Sequence, residues 1–108
     1  LGSSQNNMHD ELIADFAGIT CAIGKFNAKW FLMGMGIDKY PQAQEDGRFP
    51  VYTTSLSNEA KDILKRIMVK VAYNVEKWSE LEETKMMSRN ERVLFLCKNS
   101  ILDLYKMY

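Results

Sequence analysis

Glu11 and Asp15 are the residues whose type and spacing could do chemistry. They stand four apart in a segment where Leu12, Phe16, Ile19 and Ile23 recur at three-to-four spacing, the pattern of an amphipathic helix. At about 100° per residue the two carboxylates stack one turn apart. They share that side with Ala14, Gly18, Cys21 and Ala22. Between Met8 and Gly24 there are three acids, Asp10, Glu11 and Asp15, and no Lys or Arg. Small residues let another backbone come close. Carboxylates approached that way lose water and need a cation, a hydrogen-bond donor or a metal. The pair also repels mildly across the turn. The helix macrodipole accounts for Asp10 and Glu11 in the first turn of a helix beginning near Met8, but not for Asp15 in the second.

The run Asp10-Glu11-Leu12-Ile13-Ala14-Asp15, followed by Phe16-Ala17-Gly18, resembles the third-ligand helix of the gluzincin zinc peptidases, whose pattern is N-E-x-x-S-D. The resemblance implies that Glu11 is a zinc ligand and that Asp15 stands behind it, orienting a ligand histidine one turn away. A catalytic zinc takes three protein ligands and leaves a position for water. The wider stretch from Asn6 to Asp15 is similar to uncharacterised bacterial proteins that carry an H-E-x-x-H helix shortly upstream. Asp10 stands where the family has Asn, and Ala14 where it has Ser. The H-E-x-x-H helix, with its two histidines and general base, is absent, because His9 is the only histidine. The resemblance therefore implies a fragment: the helical C-terminal part of a zinc-dependent hydrolase. Such a fragment would be inactive and metal-free alone, and would be completed by a missing N-terminal part. The start at Leu1 fits that expectation.

Other chemistry is poorly supplied. One histidine allows no triad except through His9, and no nucleophile elbow is present. Alone at a helix start, His9 reads as a capping or surface residue. Gly34-Met35-Gly36 lacks the rest of a phosphate-binding loop. The formal net charge is zero, 14 cations against 14 anions, without the basic excess expected of a nucleic-acid partner. No apolar run is long enough to span a membrane, so no membrane partner is expected. The opening Leu1-Gly2-Ser3-Ser4 is unlike a secretory signal, and Cys21 and Cys97 are too few for a disulfide framework. A cytoplasmic chain is expected, with both thiols buried as small hydrophobes.

The elements that must position these residues are helical. The spacing predicts a first helix from about Met8 to Ile23 after a frayed start over residues 1–6, and a second from Asn27 to Met35. A long connection follows from Ile37 to Ser55, with turns at Tyr40-Pro41, Asp46-Gly47 and Phe49-Pro50. A third helix is expected from Asn58 to about Lys85, capped by Ser57. Its apolar face is Ala60, Leu64, Ile67, Val71, Val75, Trp78 and Leu81, and its solvated face is Lys61, Lys65, Lys70, Glu76, Lys77, Glu80 and Glu83. Ser88-Arg89-Asn90-Glu91 is a capping box opening a fourth helix to about Tyr105, with Leu94, Cys97, Ile101, Leu104 and Tyr108 as its stripe.

The fold class is all-α: a four-helix bundle-like domain over residues 1–108, two helices short and two long, with one long irregular loop. Besides the hydrolase fragment, two further roles fit this pattern. One is a non-enzymatic helical interaction or structural module, with a homodimer through the first-helix face. The other is a small-molecule-binding bundle using aromatic residues under the 37–55 connection. Pairing of Glu11 and Asp15 with Lys or Arg of the later helices favours the interaction module.

Overall fold

Leu12, Phe16, Leu64, Val71 and Val75, each picked out by helical spacing, are all within 1 % of complete burial. The computed structural model describes residues 2–42 and 46–108. Among these, seven helices and no strands occur. They are α1 (Gly2–Ile23), α2 (Ala28–Met35), α3 (Phe49–Tyr52), α4 (Asn58–Ser79), α5 (Glu82–Lys85), α6 (Arg89–Lys98) and α7 (Ile101–Tyr105). The fold is all-α and bundle-like. The radius of gyration is 13.4 Å, against about 13 Å for a compact chain of this length.

The two 22-residue helices, α1 and α4, form the frame. The others pack around them: α2 and α7 on α4, and α2, α3, α6 and α7 on α1. One buried cluster joins Met8, Leu12 and Phe16 of α1, Phe31 and Leu32 of α2, Met68 and Val71 of α4, Leu96 of α6 and Leu104 of α7. Trp78 stacks on Phe95 with ring centroids 4.5 Å apart. None of the described helices is long and apolar enough to cross a membrane.

Several expectations are corrected. Residues 2–6 of the segment read as frayed already belong to α1, where Ser4 is buried and its hydroxyl donates to the Tyr52 carbonyl at 2.9 Å; residue 1 lies outside the described residues. The connection contains the one-turn helix α3, started by Pro50, whose missing N–H costs nothing there. The third helix stops at Ser79, and residues to Lys85 form the separate turn α5. The fourth is broken at Asn99, whose extended backbone (φ −113°, ψ 121°) resets the phase before a second capping box, Ser100 with Asp103. That reset explains a side-chain error. Leu94, Cys97 and Tyr108, read as stripe, are exposed, while Leu96, Ile101 and Leu104 are buried. Cys21 is also exposed, on the small-residue side of α1, so neither thiol is a core residue.

Polar ties fix the helices to one another. Glu76, read as solvated, accepts the Ala28 backbone N–H at 2.8 Å and so satisfies the start of α2 alongside its cap Asn27. Buried Asn74 donates to the Leu104 and Tyr105 carbonyls at the end of α7, at 2.9 and 3.1 Å. His9 is such a tie as well: its Nε2 donates to the Leu96 carbonyl at 2.8 Å, joining α1 to α6.

Candidate functional site

The acid pair on α1 meets a cation supplied by the long connection. Arg48 Nη1 lies 2.8 Å from Glu11 Oε1 and 3.2 Å from Asp15 Oδ1, and its Nη2 donates to Asp15 Oδ2. The guanidinium fork thus grips Asp15 with two donors and reaches across one turn to Glu11. The Glu11 contact is ionic rather than a hydrogen bond. Oε1 is shielded from solvent, yet no N–H is lined up with it. The hydrogen bond it donates to Asp15 is the main cause that holds the Arg48 guanidinium above its ordinary pKa. Burial opposes it, and the charges of Asp15 and Glu11 add to it. Arg48 Nε and its backbone N–H both donate to the Gly34 carbonyl, at 3.4 and 3.2 Å.

Arg48 is delivered there by a backbone crossing. Gly36, the left-handed cap that ends α2, and Gly47 both have positive φ, 80° and 89°. A Cβ on Gly36 would overlap the Asp46 carbonyl oxygen, and one on Gly47 would overlap the Gly36 backbone nitrogen. The connection therefore lies directly on the end of α2, and the next residue is Arg48. Gly34 completes the fit, since a Cβ there would sit 3.0 Å from Arg48 Nη2.

Glu11 and Asp15 do share one feature, as their spacing implies, but the feature is Arg48 rather than an open metal site. Among the described residues no three His, Cys, Asp or Glu side chains gather as a metal would need. His9 is engaged with α6 instead. The macrodipole account of Asp10 and Glu11 also fails, because α1 begins at Gly2 and both lie well inside it.

Beyond the acid pair the small-residue side of α1 is open. Ala14, Gly18, Cys21 and Ala22 are all exposed. A groove of about 410 Å³ runs between α1 and α2, lined by Asp15, Gly18, Ile19, Trp30 and Met33. Trp30 is 50 % and Met33 53 % exposed, large apolar groups that the core does not take up. The sequence marks the small residues, and the all-round apolar character of α2 marks Trp30 and Met33. Nothing in the sequence marks Arg48, which sits 33 residues beyond Asp15 in a segment without periodicity.

No curated protein and no solved structure matches the chain. Over residues 1–107 it matches the model of a family of unknown function, DUF7005, and it belongs to that family.

Proposed function

We propose that this chain is a non-catalytic helical interaction module that pairs with a second copy of itself through the α1–α2 face. The observation that carries the reading is Gly18. It lies deep inside a 22-residue helix, where glycine costs about 0.5–1 kcal/mol relative to alanine. Its backbone is ordinary helix, and a Cβ added to it would meet nothing within 4 Å. Among the described residues nothing requires its smallness, which supports close approach by a partner at this position. Trp30 and Met33 stand beside it as protruding groups. A surface holding both a hollow and a projection is self-complementary under two-fold symmetry, with Trp30 of each copy over the Gly18 hollow of the other.

The Arg48 fork supports the non-catalytic half of the reading. It answers both carboxylates from within the chain. Sedimentation equilibrium tests the proposal. The wild-type chain is expected to show a monomer–dimer equilibrium, and Trp30→Lys to remain monomeric with unchanged helical circular dichroism. A wild-type chain that stays monomeric at its highest soluble concentration contradicts it. Stoichiometric zinc bound by the wild type and lost in Glu11→Ala would put the ligand reading in its place.

A further inference from the structure

A second cavity, about 390 Å³, lies between the end of α2, α3 and the first turns of α4. Its apolar walls include Ile37 and Phe49, and its polar groups include Asn58, Lys61 and Lys65. No carboxylate lines it. Lys61 and Lys65 stand one turn apart and both are half-buried. Like charges so placed repel. Among the described residues neither forms an ion pair; Lys65 Nζ has only the Phe49 ring, 5.6 Å from its centroid. On the neighbouring face of the same helix Arg66 does have its acid, Asp62, at 3.5 Å. A chain with zero net charge thus places two cations in one hollow that no carboxylate among the described lining residues shares.

We propose that this cavity binds a phosphate monoester with a small apolar body. The two ammonium groups match a dianion. The walls formed by Ile37 and Phe49 accept the organic part. The first turn of α4 adds to the same field: Ser57 caps the Ala60 N–H, while the Asn58 and Glu59 N–H groups have no acceptor among the described residues. The cavity is separate from the α1–α2 groove, and the inference stands independently of the pairing proposed there.

The test is an NMR titration of the full chain with phenyl phosphate, inorganic phosphate and phenol, following backbone amides. Phenyl phosphate is expected to shift Asn58, Glu59 and Lys61 saturably. Inorganic phosphate should shift the same amides more weakly, and phenol should leave them unmoved. Lys61→Gln with Lys65→Gln should weaken phenyl phosphate binding about tenfold. Lys70→Gln with Lys77→Gln, an equal loss of charge on the same helix away from the cavity, should leave it unchanged. If the double variant misfolds, Lys61→Gln alone is read against Lys70→Gln. The absence of saturable shifts overturns the proposal. So does an equal loss in the two pairs of variants, which would mean general attraction to the surface.

Discussion

Arg48 holds together two carboxylates that would otherwise repel across a helical turn. Its side chain is 37 % exposed, so solvent screening cuts the ion pair down, and Arg48→Ala should cost about 1 kcal/mol in chemical denaturation. The cost should shrink in an Asp15→Asn background, because a guanidinium whose main partner is neutral has less to lose; equal costs in both backgrounds would mean that Arg48 acts through packing alone. Gly18 gives a prediction of opposite sign. Gly18→Ala should stabilise the monomer by about 0.5–1 kcal/mol, since the added Cβ enters open space in an ordinary helix. The side of this site on α1 is legible in the sequence as a face with acids and no cations. Its other side is not. Periodicity reports what lies within one element, and Arg48 reaches α1 only because Gly36 and Gly47 let two backbones touch.

At the scale of the elements, the helix ends matter most. Backbone and side-chain hydrogen bonds from Ser88 hold the Glu91 carboxyl below its usual pKa, and Ser100 does the same for Asp103. A carboxyl depressed in the folded state adds stability that is fully present above its unfolded pKa, about 4, and is lost as pH falls through the lower folded value. Acidification should therefore loosen α6 and α7 at these boxes. Glu91→Gln with Asp103→Asn should flatten the thermal-stability profile below about pH 4.5, and an unchanged slope would remove the boxes as its cause. Ser88–Glu91 is readable in the sequence. Ser100–Asp103 is written there just as plainly, but the apolar spacing of Leu94, Cys97, Ile101 and Leu104 runs straight across it and suggests one helix. A single extended residue, Asn99, overrides that spacing. Asn74 and Glu76 escape sequence reading for a related reason: the backbone groups they satisfy belong to helices 30 and 48 residues away in the chain.

For the whole molecule, the crossing of the connection over the end of α2 joins the core to the acid pair. Gly47→Ala forces a side chain into left-handed backbone and into Gly36, and should cost well over about 1 kcal/mol while freeing Arg48 from Glu11 and Asp15. A melting temperature equal to that of the wild type would mean that the crossing is not fixed. With the acid pair answered internally, the proposed pairing face is the one that combines Gly18 with Trp30 and Met33. An isotope-filtered NOE experiment on a mixture of labelled and unlabelled chain tests this most directly. Contacts from the Trp30 indole of one copy to Gly18 and Ala22 of the other are expected. Intermolecular contacts confined to another exposed apolar site, such as Leu94 and Leu102, or none at concentrations where the chain is dimeric, would contradict it.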